Sequence, residues 1–224
     1  SIFQNNEGGF KKRTALHEAV DRENVEITKL LLDVQDIDIN ELNIEKKYNG
    51  DTLDMISRTP LHIAIKWCND KILKLLLAHK NIDVNAQYKI QSKSEKKVFD
   101  ISTFSLLKLV FISEEVKTAL HMAVEQEYID SIILLLTHPQ IDVNAILTTI
   151  GVDVYQHRSK IYENDTALHI AVKKDNLEII QLLLIQKTIN INIQDINGRK
   201  PSDCTDNNAI KTLFENYSIS NTSQ

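Results

Sequence analysis

The chain has 224 residues, of which 42% are hydrophobic and 25% charged, with a formal net charge of −5. That length and apolar share suit one globular domain or two small ones, and the acidic balance argues against a body that neutralises nucleic-acid phosphates. Cys68 and Cys204 follow no zinc or redox spacing, no apolar run approaches a membrane span, and the start SIFQNNEGGF lacks signal-peptide features, so a reducing, cytoplasmic setting is expected, without cofactor, metal or membrane.

From the N-terminus, residues 1–13 are a lead-in too short for a helix pair, so the apolar side of the first unit is expected to lie open, as in a piece cut from a longer protein. A pattern then recurs four times. It reads Thr14-Ala15-Leu16-His17, Thr59-Pro60-Leu61-His62, Thr118-Ala119-Leu120-His121 and Thr166-Ala167-Leu168-His169, each followed two residues later by alanine (Ala19, Ala64, Ala123, Ala171). Sixteen residues after each threonine comes a leucine triplet, and 26 after it an asparagine: Asn40, Asn85, Asn144 and Asn192.

Each unit predicts two helices. The first begins at the threonine, which can cap orphan N–H groups, and the second (Asn69 to Ala78 in unit two, Asp175 to Ile185 in unit four) carries the triplet. One such pair cannot enclose its own apolar face, so neighbours must stack into a quasi-one-dimensional solenoid. Beyond unit four, 217–224 reads as a polar tail.

These residues resemble the ankyrin repeat, whose T-P-L-H-x-A signature, two-helix unit and terminal D-V-N have a counterpart in each of the four units, with T-P-L-H complete in unit two and D-V-N in units two and three. The expected fold is an all-α ankyrin solenoid of stacked helix pairs carrying extended β-hairpin fingers. It forms a single domain over 14–216, with repeats starting at 14, 59, 118 and 166 and a cap from 198. The resemblance implies a groove lined by the residues ending each first helix: Asp21/Arg22, Lys66/Trp67, Glu125/Gln126 and Lys173/Lys174. It also implies loop-to-loop hydrogen bonding for the four repeat histidines, which at about 10 Å per unit lie too far apart to share a metal.

Between units the chain departs from the family. Asparagine to next threonine spans 19, 33 and 22 residues, and 8 to Lys200, against a usual 7, so the insertions fall at about 41–58, 86–112 and 145–165. The first contains Tyr48-Asn49-Gly50-Asp51, a type I′ hairpin signal. The second pairs polar Gln91 to Lys97 with the apolar run Phe104 to Ile112 and carries a net +3. The third has β-branched residues around Gly151 and basic His157, Arg158 and Lys160. Hairpin fingers fit all three, with disordered loops as the alternative. In the turn between helices, where the family has glycine, stand Glu23, Cys68, Glu127 and Asp175. A left-handed residue with a Cβ costs roughly 1 kcal/mol there.

No phosphate loop, dinucleotide fingerprint, zincin helix or nucleophile elbow is present. Cys68 has no activating context, and Glu114-Glu115 reads as a solvated or capping pair and not a catalytic one. The reading is therefore a non-catalytic, monomeric scaffold that binds a protein or peptide through groove and fingers, with nucleic acid disfavoured. The alternative is a targeting module of a larger protein, such as a secreted effector acting in a host cytoplasm. Trp67, the only tryptophan, is read as an exposed anchor, burial against its own repeat being the alternative. Each hairpin asparagine follows a leucine by eight residues, which looks like the pattern of asparaginyl hydroxylase substrates and implies Asn85 and Asn144 as candidate acceptors. Closure of the turn by the asparagine side chain is the simpler reading.

Overall fold

The computed structural model describes residues 2–4, 10–49, 52–100, 105–153 and 158–222. The Gly50-Asp51 turn, Phe104 and His157 lie outside the described residues, and of the run Phe104 to Ile112 only the side chains from Val110 onward are described.

The first helices are α1 (Ala15–Asp21), α3 (Pro60–Lys66), α5 (Ala119–Glu125) and α7 (Ala167–Lys173), and the second are α2 (Val25–Leu32), α4 (Asp70–Leu77), α6 (Ile129–Leu136) and α8 (Leu177–Leu184). Each first helix starts where threonine stands at the N-cap in extended conformation. Asn24, Asn69 and Asn176 cap α2, α4 and α8 by accepting from the N–H of Ile27, Ile72 and Ile179 at 2.9, 3.1 and 3.1 Å. Four stacked pairs then bury a continuous core in which Leu61, Ile65, Leu76, Leu120, Leu135, Leu168 and Leu183 are at most 1% exposed. Burying each such side chain is worth ~1.5–3 kcal/mol.

The stack is closed at its C-terminal end. A 3-10 turn (Pro201–Cys204) replaces the first helix of the capping unit, and α9 (Asn208–Thr222) covers unit four with Ile210 and Phe214. The helix runs past residue 216, so the stretch read as a polar tail is helical to Thr222. At the other end, the position filled by buried Ile72, Ser131 and Ile179 is taken in unit one by Ile27, which is 48% exposed, and Leu30 and Val34 on the same face of α2 and beyond it are exposed too.

Three fingers join the units: β3 (Asn43–Asn49) with β4 (Thr52–Arg58), β5 (Tyr88–Asp100) with β6 (Ser105–Lys117), and β7 (Ile146–Asp153) with β8 (Arg158–Thr166). The lead-in supplies β1 (Ile2–Gln4) and β2 (Phe10–Lys12). The fingers are not independent appendages, and here the all-α expectation is corrected. All eight strands hydrogen-bond in chain order into one antiparallel sheet, so the solenoid carries a β layer along one side. The physical reason is a match of spacings. Stacked helices sit 8–10 Å apart and a two-strand hairpin is about 9.6 Å wide, so successive hairpins arrive at hydrogen-bonding distance. β2 pairs with β3, β4 with β5, and β6 with β7. The middle finger outreaches its neighbours: β5 pairs with β4 over Thr52↔Ser94 to Ser57↔Lys89, and β6 with β7 from Phe111 to Val116, leaving 95–100 and 105–110 paired only within the finger.

Candidate functional site

Where the sheet meets the first helices, local chemistry fixes every unit in the same way. The N–H of Thr14, Thr59, Thr118 and Thr166 donates to Nδ1 of His17, His62, His121 and His169 at 3.2–3.3 Å. The imidazole closes the cap as an acceptor, so its proton rides on Nε2. Burial lowers the pKa of His17 to about 4, of His62 to about 3 and of His121 to about 4, with the backbone of Arg58, Ala86 and Ala145 in the following hairpins partly opposing the shift. His169 is lowered by burial as well, and its Nε2 lies 3.2 Å from the Arg199 carbonyl. The histidines are neutral structural bolts.

The hairpin asparagines join one unit to the next. Asn40, Asn85 and Asn144 each donate Nδ2 to a carbonyl of the following unit (Asn81, Gln140, Thr188) at 2.7 Å. Their Oδ1 accepts from the N–H of Asp83, Asp142 and Asn190 at 2.9, 2.8 and 2.8 Å. The asparagine's own turn is closed instead by the residue two before it, as Asp83 does for the Asn85 N–H. A second set of bridges explains the missing glycines. Glu23, Cys68, Glu127 and Asp175 do adopt left-handed φ of 52° to 57°. Three of them use the side chain that glycine lacks: Glu23 accepts from Asn69, Glu127 from Asn176 and Lys174, and Asp175 from Thr205. Each bond works against the backbone strain of the left-handed turn. Cys68 is exposed, and partial loss of hydration at its thiol, then the Asp70 charge, push its pKa up, which is the wrong direction for a nucleophile.

The residues expected to line the groove do end the first helices: Asp21, Lys66, Glu125 and Lys173 are the last helical residues, and Arg22, Trp67, Gln126 and Lys174 the C-caps. Trp67 is 44% exposed. Its Nε1–H donates to Asp21 Oδ1 of the preceding unit at 2.9 Å, and Lys66 Nζ stands 4.8 Å from its ring centre. Burial would raise the Asp21 carboxyl, but hydrogen bonds from Trp67 and Arg13 outweigh it and hold the group below its usual range. The tryptophan is therefore presented to solvent in a fixed orientation.

A further row is missing from the sequence expectations: the residues immediately before each repeat threonine, Arg13, Arg58, Lys117 and Asp165. Three of them pair with the last residue of their own first helix, eight positions on. Arg13 pairs with Asp21 at 2.7 Å, Lys117 with Glu125 at 2.6 Å and with Glu115 at 2.6 Å, and Lys173 with Asp165 at 2.5 Å. Tyr88 joins the row at the base of β5, with Lys117 Nζ 5.7 Å from its ring centre and His62 at 5.7 Å. Beyond the groove, the sheet carries an open hollow of about 700 Å³ lined by Ser92, Ser94, Phe111, Ser113, Gly151 and Tyr162 among others. There Tyr162 is the extra residue at a bulge in β8, and a Cβ on Gly151 would meet its ring at 2.4 Å.

Among the described residues no group of three or more His, Cys, Asp or Glu is placed to hold a metal, and no helix is long and apolar enough to cross a membrane. Threonine–histidine caps, helix pairs in a linear stack and asparagine bridges between units define a repeat solenoid. The family model described as "Ankyrin repeats (3 copies)" matches residues 2–88 and 117–195, and the chain belongs to the ankyrin repeat family. The gap between the matched segments is the outreaching middle finger. A solved structure described as "EF0377 an Ankyrin Repeat Protein" is similar at TM-score 0.52 and 19% identity, over 84% of this chain and 69% of that one, which speaks for the fold. No curated protein matches the sequence. Ankyrin repeats are in general protein-interaction modules without catalytic activity.

Proposed function

We propose that this chain is a non-catalytic scaffold that binds a protein or peptide along the groove between first-helix ends and finger bases, the finger sheet forming one wall. The observation that carries the reading is Trp67. It is a large aromatic, 44% exposed and fixed by its bond to Asp21, and such anchors often cost ~2 kcal/mol or more of binding when truncated. Lys66, Asp21, Arg22, Glu125, Gln126, Lys173 and Lys174 supply the polar surround. The test is to identify partners by affinity capture and then compare purified wild type with Trp67→Ala at equal folded fraction. A loss of at least tenfold in affinity is expected, and unchanged affinity would move the interaction away from the groove.

A further inference from the structure

In three units the residue before the repeat threonine and the residue eight further on carry opposite charges and touch: Arg13 and Asp21, Lys117 and Glu125, Asp165 and Lys173. The order of signs reverses in unit four, so what the three share is opposition and not a fixed residue type. Unit two breaks the rule. Its pair is Arg58 and Lys66, two cations in positions that elsewhere form an ion pair. Arg58 is buried and turns to Glu45 of its own hairpin at 2.8 Å. Among the described residues Lys66 has no carboxylate at ion-pair distance, and its ammonium stands over Trp67. Lost hydration, then the Arg58 charge, hold the Lys66 pKa below the usual lysine range, with Asp21 and Glu45 only partly opposing.

We infer that Lys66, with Arg58 behind it and Trp67 beside it, seats a carboxylate of the bound protein partner, which supplies in trans the anion that units one, three and four supply for themselves. The inference rests on the groove reading above and names the chemistry of its occupant. The surroundings select a lone carboxylate over a polyanion. Asp21 and Glu45 are the carboxylates whose charge reaches Lys66, each engaged with a cation of the protein, and they would repel a multiply charged phosphate backbone more than a single carboxylate. The matching ligand is a short acidic segment with an apolar side chain to lie on the tryptophan, its carboxylate coming from a side chain or from a chain end.

Trp67 is the only tryptophan, so its emission reports occupancy directly. Three ten-residue Gly/Ser peptides serve as probes: one with a central Glu-Phe-Glu and both ends blocked, its Gln-Phe-Gln counterpart, and that counterpart with a free C-terminal carboxylate. The blocked Glu peptide or the free-acid peptide is expected to shift the emission at least tenfold more tightly than the blocked Gln peptide, and whichever does so names the source of the carboxylate. Lys66→Met, which keeps a chain over the indole, should erase that preference. Lys66→Glu should erase it too and raise Tm by roughly 2 °C, because Arg58 then gains the pair the other units have. Equal binding of all three peptides, a preference that survives Lys66→Met, a Lys66→Glu variant no more stable than wild type, or tighter binding of an oligothymidylate each overturns the inference. If no peptide moves the emission while the captured partner still needs Trp67, the carboxylate seat fails and the groove reading stands. A partner indifferent to Trp67→Ala sinks the groove reading itself.

Discussion

The helical stack and the finger sheet are built from the same four units by opposite rules. In the stack, length is invariant, with 26 residues from threonine to asparagine every time, and side chains carry the structure. Capping histidines, buried leucines and bridging asparagines each have one place to go. In the sheet, length varies and backbone carries the structure: seven strand-to-strand ladders run through segments with little sequence in common. Regularity of sequence thus marks the part held by side-chain packing. Irregular sequence need not mean irregular structure, because a hydrogen-bond ladder asks little of the side chains it passes.

Acid should test the stack most severely. His17, His62 and His121 are held neutral by burial with pKa values near 4, 3 and 4, while in the unfolded chain they titrate near 6.5. The unfolded state therefore binds more protons, and stability that is complete above pH 6.5 falls as pH drops toward 4, by about 2 kcal/mol for each of the three at pH 5. Urea midpoints at pH 7 and pH 5 check this, and equal midpoints would show that the imidazoles are not buried as neutral groups. Next in size, Leu135→Ala in the core, where the residue is fully buried, should cost about 3 kcal/mol, against less than about 0.5 kcal/mol for Ile161→Ala on the sheet, where the side chain is 46% exposed. Similar losses at the two sites would erase the distinction between the regions.

Asn85→Ala removes two bonds between units two and three, to the Gln140 carbonyl and the Asp142 N–H, and should cost about 1–2 kcal/mol, seen as a lower melting temperature. Replacing 95–110 with a two-residue turn should change stability by under about 1 kcal/mol, since the described residues 95–100 and 105–110 pair only within their own finger and loop length costs about 0.6 kcal/mol per doubling. Partner capture should weaken if the finger wall takes part in binding, and a shortened chain that no longer melts cooperatively would place the finger tip in the core. The smallest effect concerns Asn85 and Asn144 as hydroxylase acceptors. Their amides are engaged on both sides at 2.7–2.8 Å, so a gain of one oxygen on incubation with an asparaginyl hydroxylase should be faster in an Asn85-containing peptide than in the folded chain. Equal rates would show that the bridges open freely.

What could be read in the sequence follows the same divide. The four units, their caps and the hairpin nature of the insertions are visible because threonine, histidine, leucine and asparagine recur at fixed spacings within 26 residues, although the asparagine bonds themselves reach into the next unit. The joining of hairpins into one sheet is not, since it depends on the width of a hairpin matching the spacing of stacked helices, and no residue type records that match. The left-handed turns at Glu23, Glu127 and Asp175 look like departures from the pattern until their partners in the next unit are seen. Arg13, Arg58, Lys117 and Asp165 sit in full view before each threonine. Their pairing is hidden because the sign of the charge changes from unit to unit.

A solenoid without a side wall can wind and unwind by small rotations at each junction, and its groove opens and closes accordingly. In this chain every such rotation would shear a ladder, because the last strand of one finger is bonded to the first strand of the next. The sheet acts as a splint laid along the stack. Under the binding mode proposed above, a partner meets a groove whose curvature is already set, and little of its binding energy is consumed in stiffening the scaffold.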